Sequence, residues 1–185
     1  PSTEDLWFVP LGGCGEIGMN LNLFGHDGRW LMVDCGVTFE ETPQGNEVQM
    51  PDPHFISERA ESLVGIVATH AHMDHIGALP YLADQFGCPI YTTPFTAAVL
   101  APKLQEARSK AVVNIVHPGQ SLALGPFQLT WLPITHSTPE TNGLFIETAA
   151  GNIVHTADWK IDPTPVVGQG FDRPLWQSLA SKGVD

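Results

Sequence analysis

Apolar positions fall along the chain in two rhythms. Leu6–Leu11, Leu21–Phe24 and Trp30–Val33 read as strands, the last two flanking a His26-Asp27-Gly28 turn. An Asp-Gly between apolar runs is a good hairpin signal. Residues 40–54, with Pro43, Gly45, Pro51 and Pro53, read as an exposed loop. Leu63–Ala68 is a short apolar run suited to a buried strand. From Ile76 to Phe86 the rhythm changes: Ile76, Leu79, Leu82, Ala83 and Phe86 share one helical face, and Gly87 is a plausible stop. Ile90–Thr92 reads as a strand and Phe95–Ala107 as a second helix. Val112–Val116, Ser121–Leu124, Phe127–Pro133, Gly143–Thr148 and Asn152–Thr156 return to strand character, and Pro174–Lys182 predicts a terminal helix. Mixed strands and helices, with strands first, predict an α+β or α/β layered sandwich.

Composition sharpens this picture. A chain of 185 residues that is 43% hydrophobic can bury a real core. No apolar run approaches the ~18 residues of a membrane span, and the first residues carry no basic-apolar leader. Three cysteines without CxxC spacing argue against a disulfide framework and for a reducing compartment, so a cytoplasmic protein is expected. The formal charge of −12 repels phosphate backbones, and eight basic residues make no patch. Composition alone therefore speaks against a nucleic-acid binder.

The chemistry sits directly after the apolar run at 63–68, in Thr69-His70-Ala71-His72-Met73-Asp74-His75. In extended backbone His70, His72 and Asp74 project to one side, and His75 falls in the first turn of the helix. Imidazole with carboxylate suits Zn²⁺, Mn²⁺ or Fe. Four donors so interleaved are better divided between two ions, His70 and His72 on one, Asp74 and His75 on the other. His136 and Asp158 each follow an apolar strand and could complete one ion and bridge both, as cations ~3.5–4 Å apart require.

The segment THAHMDH followed by IGALPYL resembles the signature of the metallo-β-lactamase superfamily. FVPLGGCGEIGMN, WLMVDCGVTF, HPGQSLALGPF, ITHSTPET and NIVHTADWKIDPTP resemble, in order, segments of bacterial ribonuclease J in the β-CASP branch. The resemblance implies an αββα sandwich of which only the first half is present. Residues 1–170 would be the N-terminal part of the metallo-β-lactamase domain, and 171–185 the start of a connection towards an absent β-CASP insert. It implies two Zn²⁺ per complete site, with Mn²⁺ possible: His70, His72 and His136 on one, Asp74 and His75 on the other, and Asp158 bridging. Asp74, His75 and Asp158 make up the catalytic set, and Asp34 steadies the metal loop. A final histidine ligand and a general acid would come from parts not present. Met73 stands where relatives often have Glu, turned from the metals by the period of two. Ala157 stands before Asp158 where Gly is usual, which questions a tight turn there.

The function so implied is hydrolysis of RNA phosphodiesters, by endonucleolytic or 5′-to-3′ exonucleolytic cleavage through a zinc-activated hydroxide. The complete protein would meet RNA, form a homo-oligomer and touch no membrane, and this chain alone would be inactive. Two alternatives stay open: a thioester or lactone hydrolase of the same superfamily, and a non-catalytic metal-binding scaffold. Elsewhere, His155 reads as a hydrogen-bonded structural histidine, His26 and His54 as solvated, and His117 as a turn residue. The glycines from Gly12 to Gly15 match no phosphate-loop pattern and read as close backbone packing beside the site. Nothing marks Cys14 or Cys35 as a nucleophile.

Overall fold

The structure is a computed structural model that describes residues 1–168 and 170–185. Its elements are β1 Trp7–Gly12, β2 Leu21–His26, β3 Arg29–Val33, β4 Thr38–Thr42, β5 Gly45–Gln49, α1 His54–Ser57, β6 Leu63–Val67, α2 Met73–Ile76, α3 Leu79–Phe86, β7 Ile90–Thr92, α4 Pro94–Glu106, β8 Val113–Ile115, β9 Ser121–Leu124, β10 Phe127–Pro133, β11 Asn142–Thr148, β12 Gly151–His155 and α5 Arg173–Ala180. A six-stranded sheet has the order β1-β2-β3-β6-β7-β8, and a four-stranded sheet the order β12-β11-β10-β9.

Strand alternation sorts side chains into layers. On β3, Trp30 and Met32 face α1, α3 and α4, where Ile56, Leu79, Phe86 and Leu100 complete one core. Leu31 and Val33 face the other way and meet Phe127, Leu129, Trp131, Leu144 and Ile146 between the sheets. On the far side of the second sheet, Leu132 and Phe145 pack under Leu175, Trp176 and Leu179 of α5. Helix, sheet, sheet, helix: the fold is the αββα sandwich expected. Each large apolar side chain so enclosed contributes roughly 1.5–3 kcal/mol of burial.

Directions matter more to the site than layers do. Strands β3, β6, β7 and β8 run parallel, so the ends of β3 and β6 emerge at one edge, where Asp34 and His70 follow. In the second sheet β10 and β12 both pair antiparallel with β11. They therefore run the same way, and the segments after them, with His136 and Asp158, leave at one edge.

Three expectations are corrected. The loop expected at 40–54 contains a hairpin: β4 pairs β5 around a Pro43-Gln44 turn, and α1 begins at His54. Both strands are largely exposed on both faces, so no apolar alternation marked them, and Pro43 and Gly45 are the turn, not loop filler. The helix from 76 to 86 is two helices. Pro80 has no N–H and its ring would press on the carbonyl of Ile76, so the first turn stops at Gly77 and α3 restarts. His26 is not solvated: it is 2% exposed, and its Nδ1–H donates to the Asp5 carbonyl at 2.8 Å.

Candidate metal centre

The turn after β6 is clamped to the turn after β3 by backbone. Cys35 N donates to His75 O at 2.8 Å, Val37 N to Met73 O at 3.0 Å, and Asn20 N to Asp74 O at 3.0 Å. Only glycine allows this approach at position 36, where a Cβ would lie 1.6 Å from Asp74 O. Asp34, fully buried and at φ +63, turns its carboxylate into the same knot. It accepts from Thr69 N at 2.8 Å, from Thr69 Oγ1 at 2.9 Å and from His75 Nδ1 at 2.7 Å. One aspartate thus fixes the loop's backbone and aims the His75 ring.

Three imidazole nitrogens converge beside it. His72 Nδ1 lies 3.0 Å from His70 Nε2 and 3.2 Å from His136 Nε2. Their other ring nitrogens are held from behind, His70 Nδ1 by Thr69 Oγ1 at 3.0 Å and His72 Nε2 by Ser137 Oγ at 3.3 Å. His75 Nε2 faces Asp74 Oδ2 and Asp158 Oδ1, each at 3.5 Å, and Asp158 Oδ2 lies 3.7 Å from His136 Nε2. Two sets follow, each with its ligand atoms within 4.8 Å of one another: His70, His72, His136 and Asp158; and Asp74, His75 and Asp158. All six sequence-derived candidates meet here, with Asp158 common to both sets and Asp34 directly behind.

Electrostatics prepare the donors unequally. Burial pushes the His70 imidazole down to about 3, so it is neutral and free to donate a lone pair. Burial also opposes a charge on His75, but the carboxylates of Asp34, Asp158 and Asp74 outweigh it and raise the ring to about 10. The contact with His75 brings Asp158 down to about 2. A chain without bound cation thus keeps a proton on His75 between carboxylates, where a divalent cation would otherwise stand. The donor set is imidazole-rich, convergent and backed by oriented partners, and it fits such cations.

Asn20 was not marked in the sequence. Its Nδ2 lies 3.3 Å from His75 Nε2 and donates to Asp74 O at 3.0 Å. The signal lay in the adjoining glycines: at Gly13, φ +86, a Cβ would lie 2.3 Å from Asn20 Oδ1. Gly12 and Gly13 are therefore close packing beside the site, as expected, whereas Gly15 is exposed at φ +79 with nothing within 4 Å of a Cβ there. Thr69 and Ser137 were likewise unmarked, though each adjoins a candidate ligand. Met73 packs against the core and not towards the cluster. Ala157 takes φ +50, making the glycine-like turn with a Cβ present. His54 is exposed beside Glu58, and His117 is exposed in a turn. His155 stacks edge-on with Phe24 at 6.0 Å, and no side-chain hydrogen bond to it is seen among the described residues. Burial and the adjacent Asp34 carboxylate push the Cys35 thiol far up, which leaves it unreactive.

The profile of the Beta-lactamase superfamily domain matches residues 29–173. Ribonuclease J of Sinorhizobium meliloti is 43% identical over 98% of this chain and 33% of its own length. Ribonuclease J of Mycobacterium tuberculosis is 38% identical over 95% of the chain and 32% of its length. The chain spans about a third of the length of these relatives. Among solved structures, the metallo-beta-lactamase fold protein YhfI of Bacillus subtilis superposes with a TM-score of 0.56 at 24% identity, over 82% of this chain and 61% of that one. A protein of unknown function from Enterococcus faecalis superposes at 0.62 with 17% identity, over 85% and 44%. These two bear on the fold alone. Among the described residues no helix is long and apolar enough to cross a membrane.

Proposed function

The chain belongs to the beta-lactamase superfamily, and from that premise we propose that it is the N-terminal part of the catalytic domain of a metal-dependent ribonuclease resembling ribonuclease J. The observation that carries the reading is the meeting of His70, His72, Asp74, His75, His136 and Asp158 in two sets that share one carboxylate. A shared carboxylate is the feature a pair of cations needs. His70, His72, His136 and Asp158 would hold one divalent ion, and Asp74, His75 and Asp158 the second. Zn²⁺ suits the imidazole-rich set, and Mn²⁺ is admissible.

Cations held there supply Lewis acidity: they lower the pKa of water toward ~7 and offset charge growing on phosphoryl oxygens. The chain's own residues do the positioning. Asp34 keeps the proton of His75 on Nδ1 and so leaves Nε2 toward the cations. Thr69 and Ser137 fix the rings of His70 and His72. Asp158, whose side chain is 46% exposed, and Asp74, at 33%, stand open to an incoming phosphodiester, whereas His70 and His75 are buried.

With a charge of −12 this chain attracts no RNA over distance. In this reading the grip on RNA comes from other parts of the full-length protein, and the 185 residues alone are inactive.

The direct test is His72→Ala in the full-length protein, assayed on end-labelled and uniformly labelled RNA with zinc present. Cleavage should fall by more than about 100-fold, and unchanged cleavage would overturn the reading. One observation favours a second reading, a thioester or lactone hydrolase. A pocket of about 620 Å³ adjoins His136, lined by Phe95, Pro133, Thr141 and Pro165 among others, a size that suits a small ligand. Zinc-dependent thioester turnover without RNA cleavage would select it.

A further inference from the structure

The first-sheet ligands are fixed by the knot around Asp34, but His136 and Asp158 leave separate strands and must find each other. One residue ties their two loops together. Thr135 precedes His136 and is 6% exposed. Its carbonyl accepts from Lys160 N at 2.8 Å. Its Oγ1 accepts from Asp162 N at 3.1 Å and donates to the carbonyl of Lys160. Both of its polar side-chain contacts, and its carbonyl, thus go to the segment just after Asp158, 25–27 residues away in sequence.

Among the described residues, that segment has little else to hold it. Trp159 and Ile161 point into solvent, 55% and 61% exposed, and the Lys160 side chain pairs only weakly with Asp162 at 3.9 Å. Ala157 enters it at φ +50, a conformation that an alanine keeps only when its neighbours impose it.

We propose that Thr135 is a positioning residue for the metal centre: its hydroxyl welds the Asp158 loop to the His136 loop and so sets the shared carboxylate against the imidazoles. The inference rests on the reading of the six side chains as metal ligands. It assigns no contact between Thr135 and the cations. Because Asp158 is one of three protein ligands in the Asp74-His75 set and one of four in the three-histidine set, loosening the weld should weaken the former more.

The test is zinc binding by the full chain, followed by competition with a chromophoric chelator, alongside thermal unfolding of the metal-free chain. Thr135→Val keeps the shape and removes the hydroxyl. It should lower affinity by about 10-fold or more, with the larger loss at the weaker of two resolved steps. Thr135→Ser keeps the hydroxyl and should bind zinc within about three-fold of the parent. A Val variant that unfolds at lower temperature yet binds zinc as the parent does would overturn the proposal. So would a Ser variant as impaired as Val, which places the effect in packing; this arm stands even if Val fails to fold. If the parent chain itself takes up no zinc, the metal reading fails, and that outcome is distinct from either of these.

Discussion

The two sheets contribute to one centre in opposite styles. From the first sheet come His70 and His75, 0% and 3% exposed, aimed by a buried aspartate and by backbone contacts that only Gly36 permits. From the second come His136 and Asp158, on loops that reach solvent and are held to each other through Thr135. One half is a fixed template built into the core. The other is a pair of arms that close on it. Burial makes the first half costly to perturb and leaves the second half free to change without unfolding the protein.

The largest expected effect breaks the template. Asp34→Ala strips Thr69 and His75 of a buried acceptor, and an uncompensated buried group of this kind costs about 3–5 kcal/mol. Chemical unfolding should show that loss, together with loss of zinc binding. The arms should behave otherwise. Asp158→Ala should weaken both metal positions, and His136→Ala chiefly the three-histidine one, each by more than about 100-fold. Unfolding free energy should change by less than about 1 kcal/mol for His136→Ala, and for Asp158→Ala by clearly less than for Asp34→Ala, because its half-exposed carboxylate is screened by water. If either variant unfolds as readily as Asp34→Ala, the contrast between the halves is wrong.

A third prediction concerns protons. Folding raises His75 from its ordinary value of 6.5 to about 10. Its contribution to the stability of the metal-free chain is therefore complete below 6.5 and lost as pH rises through 10. Asp158, brought down from 3.8 to about 2, contributes above 3.8 and ceases to as pH falls through 2. A cation at the Asp74-His75 position displaces the His75 proton, so zinc uptake at pH 8 should release about one proton there. Calorimetry in buffers of different ionisation enthalpy counts it. Metal-held water of pKa ~7 releases protons at that pH as well, so a release no larger than that of His75→Ala would remove His75 from the ligand set. The smallest effect is at Ala157. Glycine takes its φ of +50 without strain, and Ala157→Gly should gain up to about 1 kcal/mol after the entropy glycine loses on folding. The gain would appear as a raised thermal midpoint with zinc affinity unchanged.

Much of this was legible in the chain. The interleaved His70, His72, Asp74 and His75 announce a metal loop, because that residue chemistry directly after an apolar strand has few other uses. The layers were legible too, since Trp30–Val33 of β3 is an unbroken apolar run, as a strand covered on both faces must be, β10 alternates and α3 keeps its apolar face. What escaped did so for physical reasons. The β4-β5 hairpin is exposed on both faces and has no pattern to betray it. His26 looks like any turn histidine until Asp5 folds across it. Asn20, Ser137 and Thr135 are small polar residues whose roles exist only through partners far along the chain, and Thr69 joins its neighbour His70 to the distant Asp34.

Local sequence thus determined which residues could bind a cation and which strands and helices would carry them, because donor chemistry and periodicity are properties of neighbouring positions. Tertiary structure alone decided that Asp158 would stand between the two sets and that Thr135 would join the two arms. Both outcomes depend on β10 and β12 running in the same direction beside β11, and on the second sheet packing face to face on the first. Strand direction and sheet packing come from long-range burial, which no short stretch of the chain encodes.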